Sequence, residues 1–431
     1  MKLKKILVWF RNDLRLHDNE MLVEAISKSD TILPIYFFDP RYFDKTQFGT
    51  EKTGINRARF LLESVSSLRA ELQKLGGDLL IVSGKPEDHL LEIVERYEIS
   101  EVYHHREVGA EETAVSALVE DVLWKQKVNL KHFIGHTLYN KEDLPFPIKD
   151  IPDIFSQFKK KTERDALVKA CFETPSDIYF VENNEWGDLP TLSNLGFNKE
   201  SILQVKNKVN GGEESGLDHL DSLLADGSDI YNKFSTKGLA GKANFTSKLS
   251  SWLALGCLSP RKVYWKVKLA ESQFGNNTNF SQILLGLLHR DYFRFMFKKH
   301  GIKFFQEPGF EELINSPAVE GSDLIENWKN GQTGHYLVDS YMQELNSSGF
   351  IPHNGRLLVA TYLVHFLKIH WTRGASYFEE KLADYSPASN WGNWANVAGV
   401  GLDLTSKSAF DLEKQLKVLE IDINSTTEEI A

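Results

Sequence analysis

The protein has 431 residues, 42% of them apolar and 26% charged; this predicts a globular chain of at least two domains, because one hydrophobic core stops growing near about 250–300 residues. Its net charge of −10 disfavours nonspecific coating of nucleic acids or anionic membranes, and no run approaches the roughly 18 apolar residues of a membrane span. Because it has only two cysteines, Cys171 and Cys257, and charges return at Arg11, we expect a cytoplasmic protein without a disulfide scaffold or secretory leader.

Residues 1–135 alternate short apolar runs with helical patterns. The runs that predict strands are Ile6–Phe10, Thr31–Phe38, Asp78–Gly84, Glu101–His105 and Asn129–Gly135. A helix is predicted over Asn56–Leu75, and Pro86 marks the start of another. Five successive β/α units predict a doubly wound parallel sheet. No G-x-G-x-x-G motif follows the first run, where Asn12 and Asp13 stand instead, so a nicotinamide-type dinucleotide site is not expected.

The remainder of the chain divides into a connector and a helical part. Residues 136–216 carry prolines and polar runs, so they are predicted to form a connector with short helices that wraps over one domain. Residues 217–431 are predicted to form an all-helical domain. Its predicted helices are Thr246–Gly256, Pro260–Phe274, Phe280–Lys299, Arg356–Trp371, Ala375–Leu382 and Phe410–Ala431. The helix that begins at Arg356 is apolar on nearly every face and is expected in the middle of this domain.

Several side chains in the helical part are candidates for a site. The hydroxyls and lysine of residues 246–250 suit a diphosphate, although taken alone this segment is better explained by an ordinary helix cap. Arg356 requires an anion, for which Asp384 is the candidate, either as a structural ion pair or as part of a site. If residues 387–397 are helical, Asn390 and Trp394 are neighbours on one face.

Polar residues of the first domain give a weaker signal. Arg57 and Arg59 lie on a predicted helix, while His104 and His105 end a predicted strand, where open α/β sheets bind ligands. We expect most of these four side chains to be solvated surface. No Cys, His or Asp cluster shows metal-ligand spacing, so no metal is expected.

Six segments resemble motifs of the photolyase/cryptochrome family, most closely its DASH-type cryptochromes, over residues 4 to about 415. They are VWFRNDLRLHDN (8–19), KTGINRARFLLESVSSLR (52–69), HREVGAEET (105–113), TSKLSSWLALGCLSPR (246–261), WKNGQTGHYLVDSYMQEL (328–345) and DYSPASNWGNWANVAGVG (384–401). The resemblance implies an α/β antenna domain over 1–135, the connector, and an all-helical domain over 217–431 that holds FAD folded into a U.

The resemblance also assigns FAD-binding residues. Those matching contacts to the phosphates and ribityl chain are Tyr231, Thr246, Ser247, Lys248, Leu249 and Ser250. Those matching positions around the flavin ring are Arg290, Arg356, Asp384 and Asn390, while Ser386 stands where the family has the second acid of this turn. The guanidinium of Arg356 suits a reduced, anionic flavin, and the amide of Asn390 can donate to or accept from flavin N5.

Two further functions follow from the resemblance. Trp394 and Trp371 match the proximal and middle members of the family's electron-transfer chain. No tryptophan lies between Trp265 and Trp328, so the distal member is missing, and Tyr292 is a candidate substitute. Glu107 matches a contact to a methenyltetrahydrofolate antenna, which is therefore expected as a second cofactor.

The chain departs from the family where a DNA lesion binds. Gly286 and His289 stand where enzymes that repair cyclobutane dimers carry a glutamate and a tryptophan. The glutamate stabilises the radical anion of the dimer, and stacking by the tryptophan contributes about 1–3 kcal/mol per base. His353 replaces an asparagine, as in six-four photolyases, but their second histidine is Leu357 here. Asn396 stands where the family has an aromatic residue.

These observations predict a DASH-like FAD flavoprotein that transfers electrons under blue light and has an altered dimer-repair pocket. It acts on DNA, single-stranded or damaged, or as a photoreceptor that binds a protein partner. The alternative is an active deoxyribodipyrimidine photolyase, a carbon–carbon lyase that repairs cyclobutane dimers in single-stranded DNA. A light-independent flavin redox protein is disfavoured, because nothing resembles a second redox partner site. A monomer without membrane attachment is expected.

Overall fold

A computed structural model describes residues 3–204, 209–231, 246–301 and 323–401. The predicted C-terminal helix over Phe410–Ala431 lies outside these ranges. No helix in the described ranges is long and apolar enough to cross a membrane.

The N-terminal part is a five-stranded parallel sheet in the order β3-β2-β1-β4-β5. Its strands are β1 (Lys5–Phe10), β2 (Thr31–Phe38), β3 (Leu80–Ser83), β4 (Glu101–His105) and β5 (Asn129–Phe133). The helices that connect them are α1 (Glu20–Lys28), α2 (Ile55–Lys74), α3 (Pro86–Tyr97) and α4 (Ala110–Lys125), with a short 3₁₀ helix at Pro40–Phe43. The prediction of a doubly wound parallel sheet is confirmed, with strand ends within two residues of those expected.

Both faces of the sheet are buried, which explains why the strands are nearly continuous apolar runs. In β1, Ile6 and Val8 pack into one hydrophobic cluster, whereas Leu7 and Trp9 pack into another on the opposite face. The first cluster continues without interruption into the helical part and includes Trp252. The sheet therefore shares its core with the second domain on one side only.

The connector lies against the α/β domain. It carries a 3₁₀ turn at Ile148–Asp150 and the helices α5 (Phe155–Asp165) and α6 (Lys199–Gln204). Near residue 180 it extends the sheet: Ile32 donates to the carbonyl of Tyr179 at 2.9 Å, and Val181 donates back to Ile32 at 2.9 Å. Further along, the amide of Ile81 donates to the carbonyl of Trp186 at 2.8 Å.

The remaining described elements are helical. They are α7 (Glu213–Leu224), a 3₁₀ turn at Asp229–Tyr231, α8 (Ser250–Ala254), α9 (Pro260–Phe274), α10 (Thr278–His300), α11 (Asp323–Asn330), α12 (Tyr336–Ser348), α13 (His353–Thr361), a π-helical turn at Tyr362–Phe366, α14 (Trp371–Lys381) and α15 (Pro387–Val397). The predicted boundary between the connector and the helical domain, at 216/217, falls inside α7.

Two helix predictions are wrong in part. The single helix predicted over Arg356–Trp371 is interrupted, because Lys368 takes a left-handed conformation (φ 57°) and α14 starts anew at Trp371. No glycine or proline marks this break. The helix predicted from Thr246 begins only at Ser250, because Lys248 is also left-handed, with φ 54°.

The loop that follows β1, residues 11–19, joins the two domains. The buried guanidinium of Arg15 donates to the carbonyl oxygens of Gly256 and Gly135, at 2.8 Å each. The carboxylate of Asp18 accepts two hydrogen bonds from the Arg261 guanidinium, at 2.6 and 3.0 Å. Breaking such a buried pair on one side leaves an uncompensated charge, which typically costs 3–5 kcal/mol. We call residues 11–19 the interdomain loop.

Gly256 allows the interdomain loop to approach. Its φ is 66°, a left-handed conformation, and a Cβ added there would lie 2.0 Å from the carbonyl oxygen of Asn12. Gly227 has a similar φ, 75°, but a Cβ added there meets nothing within 4 Å. Substituting each of these two glycines therefore separates the energetic cost of a left-handed backbone conformation from the cost of a steric clash with Asn12.

We therefore predict that Gly256→Ala lowers the free energy of unfolding by about 2–4 kcal/mol, because the conformational cost adds to overpacking. Gly227→Ala is the matched control, with a loss below about 1–2 kcal/mol. Chemical denaturation of both variants measures the difference. Equal losses for the two variants would show that the contact with Asn12 is not tight.

Candidate functional site

Arg356 and Asp384 form an ion pair in the helical domain. Arg356 lies in the first turn of α13, and Asp384 lies in the turn between α14 and α15. Their Nη2 and Oδ2 atoms are 2.7 Å apart, and Arg356 Nε donates to the carbonyl of Ile351 at 2.9 Å. The Asp384 side chain is 3% exposed and that of Arg356 is 25% exposed. The predicted pairing of these two residues is confirmed.

The second carboxylate oxygen of Asp384, Oδ1, indicates which kind of chemical group the site can bind. Oδ1 is buried and has no hydrogen-bond partner in the described part of the chain. Buried polar atoms are nearly always satisfied, and an unpaired acceptor costs about 1–3 kcal/mol. Such an oxygen fits an N–H or O–H donor of a bound group, and the neighbouring guanidinium fits an anionic one. The residues present therefore fit a flavin.

Asn390 and Trp394 lie one turn apart on α15, as predicted for a helical segment. Asn390 is buried, and its side-chain amide donates to the carbonyl of Ala375 at 3.0 Å. The Trp394 ring packs edge-on against Phe378, with centroids 5.0 Å apart. A Cβ added at Gly374 would lie 2.2 Å from the Trp394 ring, so this glycine lets α14 and α15 approach closely.

Trp371, the other predicted electron-transfer residue, is buried at the start of α14. It belongs to the same hydrophobic cluster as Trp394 and Trp328. Its ring meets that of Trp391 at right angles, with centroids 5.7 Å apart. Tyr292, the predicted substitute for the distal member, lies instead in the cluster that contains the sheet.

The segment predicted to bind phosphates is placed before α8. Thr246 and Ser247 are partly exposed, Lys248 is exposed and Leu249 is buried. A ring nitrogen of His219 lies 2.8 Å from the carbonyl oxygen of Ser247. Ser250 starts α8 and is partly exposed.

Three more residues that are predicted to contact the flavin nucleotide form hydrogen bonds to other groups of the protein. Tyr231 donates from its hydroxyl to the carbonyl of Leu224 at 2.7 Å. Arg290 on α10 donates to the carbonyls of Leu253, at 2.8 Å, and His136, at 3.2 Å, and burial lowers its pKa to about 10. The carbonyl of Ser386 accepts the first backbone hydrogen bond of α15, from Asn390 at 2.8 Å.

The predicted lesion-pocket residues differ in their surroundings. Gly286 is exposed on α10, and a Cβ added there meets nothing within 4 Å. The ring of His289 stacks on Phe155, with centroids 3.6 Å apart and an interplanar angle of 17°. His353 is exposed at the start of α13. One face of the His289 ring is therefore covered by the connector.

Glu107, the predicted folate contact, is buried between the domains. Its carboxylate lies 3.3 Å from Arg294 Nη2 on α10 and 3.1 Å from His136 Nε2. Burial alone raises the pKa of this carboxyl, but His136 and Arg294 together hold it well below the ordinary value. Glu107 is therefore an ionised group that the protein itself compensates.

The expectation that the polar residues of the first domain are mostly solvated is wrong. Arg57, His104 and His105 are buried, and Arg59 forms an ion pair with Glu63 at 2.8 Å. The sequence shows no signal for this burial. Arg57 packs on Tyr385 of the helical domain, and Arg59 donates to the carbonyl of Val209 in the connector. His104 stacks on Trp9 within the sheet.

A cavity that the sequence analysis did not predict lies at the carboxyl ends of β1 and β2. The Arg57 guanidinium stands 4.5 Å above the Tyr385 ring, and its Nη1 atom has no hydrogen-bond partner among the residues described. Burial raises the pKa of Glu112 to about 7. The cavity is lined by residues of both domains, among them Arg11, Tyr42, Arg57, Glu112, Glu379 and Tyr385. Ligands of open α/β sheets bind outside the carboxyl ends of the strands, and this cavity lies at that edge.

Two family models match the chain. The model of DNA photolyase matches residues 6–176, and that of the FAD binding domain of DNA photolyase matches residues 283–423. Cryptochrome DASH of Gloeobacter violaceus is 41% identical over 428 residues, which cover 98% of this chain and 84% of that protein.

Solved structures share the fold. The crystal structure of a Synechocystis cryptochrome superposes with a TM-score of 0.86 at 38% identity, over 96% of this chain and 86% of that chain. An archaeal photolyase from Sulfolobus tokodaii, described as holding two FAD molecules, superposes with a TM-score of 0.73 at 24% identity, over 95% of this chain and 88% of that chain. The second likeness shows the fold alone.

We predict that Asp384→Asn weakens FAD retention and lowers the free energy of unfolding by about 1–3 kcal/mol, because it removes the charge that compensates Arg356. Gel filtration with absorbance detection measures bound FAD, and denaturation measures stability. Glu326→Gln, which breaks an exposed pair with Lys329, is the control and should cost less than about 1 kcal/mol. Wild-type FAD content in the Asp384 variant would contradict the assignment.

Proposed function

Because the chain belongs to the photolyase/cryptochrome family, in its cryptochrome DASH branch, we propose that Arg356, Asp384 and Asn390 hold the flavin ring of FAD in the helical domain. The observation that carries this proposal is the buried Oδ1 of Asp384, which lies beside the Arg356 guanidinium and has no hydrogen-bond partner among the described residues. When bound, FAD supplies absorption of blue light and one-electron redox chemistry.

The proposed ring-binding residues have separate tasks. The Arg356 cation stabilises negative charge on a bound group, because a partly buried charge is only weakly screened by solvent. Asp384 orients that guanidinium through Oδ2 and accepts a donor of the group through Oδ1. The amide of Asn390 suits either protonation state of a ring nitrogen, since it contains both a donor and an acceptor.

The proposed diphosphate site is residues 246–250, with Tyr231 at its border, and Arg290 is proposed to lie beside the flavin ring. The hydroxyls of Thr246, Ser247 and Ser250 are donors for phosphate oxygens, and the exposed Lys248 adds a positive charge. Because Tyr231 and Arg290 already donate to carbonyl oxygens, their contribution is to position neighbouring backbone.

We propose that Trp394 and Trp371 carry electrons toward the flavin site. Both rings are buried in one hydrophobic cluster, where no water reorganises around a transient charge. Fixed, apolar neighbours reorganise little when an electron moves between the two rings, which favours rapid transfer. Trp394 is oxidised first and Trp371 then refills it.

The proposed target is DNA, damaged or single-stranded, with reduced activity on cyclobutane dimers. Gly286 offers no carboxylate to the lesion, and Phe155 already occupies one face of the His289 ring, where a dimer would stack. The exposed imidazole of His353 remains available to a base. If dimer repair is absent, the competing function is a photoreceptor whose photoreduction changes binding to a protein partner.

We further propose a monomeric cytoplasmic protein. Cys257 is buried and Cys171 partly buried, and both are free thiols. This fits a reducing compartment.

The repair prediction is tested with photoreduced protein and a single-stranded oligonucleotide that carries one cyclobutane dimer. We expect normal flavin photoreduction and little splitting by the wild-type protein. Gly286→Glu, for which there is room, should raise the splitting rate by at least about tenfold, because its carboxyl can bind the lesion.

Ser281→Glu adds the same charge at an exposed position of the same helix and should leave the splitting rate unchanged. Efficient splitting by the wild-type protein would instead establish the alternative, an active deoxyribodipyrimidine photolyase.

We also propose methenyltetrahydrofolate as the antenna, bound through Glu107. The purified protein should then show a near-ultraviolet absorption band in addition to the FAD bands. Glu107→Gln should lose this band and keep FAD, because it removes the charge but retains the shape of the side chain. Loss of the band in Arg57→Lys, but not in Glu107→Gln, would place the antenna in the cavity at the strand ends instead.

A further inference from the structure

The proposed electron path needs an exit, since no tryptophan occurs between Trp265 and Trp328 to serve as its solvent-side member. Trp371 is 4% exposed, so a hole left there is not directly accessible to solvent. Trp371 contacts another ring, that of Trp391 in the second turn of α15.

Trp391 connects Trp371 to a tyrosine. Its ring meets Trp371 at 77° with centroids 5.7 Å apart, and it is partly exposed. Its indole N–H donates to the hydroxyl oxygen of Tyr385 at 3.2 Å. Three redox-active aromatic side chains are thus in sequence, each in contact with the next.

The surroundings of Tyr385 suit loss of an electron together with a proton. Its hydroxyl oxygen accepts the indole N–H of Trp391, and Tyr385 and Glu379 line the same cavity. The Arg57 guanidinium lies 4.5 Å above the phenol ring, so a positive charge that remained on the ring would be repelled. Burial raises the pKa of Glu379, which makes its carboxylate a better proton acceptor.

The other charged groups around this pair come from α2, α4 and the loop before α2. They are Lys52, Arg57, Glu111 and Glu112. Arg57 and Lys52 favour the ionised carboxylate of Glu379, and Glu111 disfavours it.

We propose that Trp391 and Tyr385 continue the electron path from Trp371, with Glu379 as the acceptor of the tyrosine proton. This inference rests on the proposed function, in which a photoexcited flavin is the oxidant that removes an electron from Trp394 and, through it, from Trp371.

The steps balance. Trp391 gives one electron to the Trp371 cation radical, and Tyr385 gives one electron to Trp391. The O–H bond of Tyr385 breaks, its proton forms a new O–H bond on Glu379, and a neutral tyrosyl radical remains. A thiol then returns one hydrogen atom to the phenoxyl oxygen and becomes a thiyl radical, after which Glu379 releases its proton to water.

The cavity at the strand ends gives the thiol access to Tyr385. Tyr385 and Glu379 both line this cavity, together with Arg57. The end of the path therefore opens toward the α/β domain, and the electrons enter through the space between the two domains.

A second tyrosine near the tryptophans provides a contrast. Trp328 packs against Trp394, at 6.3 Å between centroids, and against Tyr377, at 5.7 Å. The Tyr377 hydroxyl donates to the carbonyl of Lys329 and to the side-chain oxygen of Asn346, at 3.1 and 2.6 Å. Neither oxygen is a base comparable with a carboxylate, whereas the carboxylate of Glu379 lines the same cavity as Tyr385.

The experiment follows radicals in FAD-loaded protein by time-resolved electron paramagnetic resonance and transient absorption. Wild-type protein should form a neutral tyrosyl radical, whose spectrum changes when ring-deuterated tyrosine is incorporated. Tyr385→Phe should abolish the tyrosyl signal and leave a tryptophanyl radical. Trp391→Phe should abolish it as well, and the hole should return to the flavin at least about tenfold faster. Glu379→Gln should slow tyrosyl formation by at least about tenfold.

Matched controls are Tyr377→Phe and Trp124→Phe, the latter at a ring that is 80% exposed in the α/β domain. Both should form the tyrosyl radical like the wild type. Thermal unfolding of the apoproteins checks that every variant is folded, and the conservative Tyr385→Phe change keeps the test valid if Trp391→Phe unfolds.

Trp371→Phe separates the two proposals. If it leaves photoreduction unchanged, the proposed function fails. If it blocks photoreduction while Trp391→Phe and Tyr385→Phe behave like the wild type, only the exit path is overturned. A tyrosyl radical that persists in Tyr385→Phe and disappears in Tyr377→Phe would overturn it in favour of the other tyrosine.

Discussion

The structure depends on the pairing of charges in the interdomain loop. The Arg15 guanidinium donates hydrogen bonds to carbonyl oxygens on both sides of the domain boundary, and the Asp18 carboxylate accepts two from Arg261. In addition, the Glu213 carboxylate accepts the amides of Leu16 and His17, at 2.6 and 3.1 Å. Buried charges are tolerated only when every partner is in place, so this loop fixes how the helices stand against the sheet.

The candidate site and the proposed electron path share one pair of helices. Close packing of α14 on α15, permitted by Gly374, brings the turn that carries Asp384 next to the cluster that contains Trp371 and Trp394. The same turn carries Tyr385, which faces the α/β domain. One tightly packed corner therefore carries the Arg356–Asp384 ion pair on one side and Tyr385 on the other.

Much of the fold follows from local pattern. The strands can be predicted from apolar runs because both faces of a parallel sheet are buried. Pro86 and Pro260 mark helix starts, where the missing N–H of proline costs no hydrogen bond. The helix break after Phe366 cannot be predicted from the sequence, because the left-handed residue there is Lys368 and not a glycine. In the candidate site, the predicted pairing of Arg356 with Asp384 is confirmed, since a cation in an apolar helix requires an anion.

By itself, the sequence determined the order of the strands, the helical character of the second domain and the family, and it named the charged and aromatic residues that we propose for a flavin site. Only the tertiary structure decided which of them are buried together. Arg57 and Tyr385, 328 residues apart in number, stack because the helical domain closes over the sheet edge, and Trp391 meets Trp371 because α14 packs on α15. Local propensities carry no information about such contacts, since these depend on which surfaces meet when apolar area is removed from water.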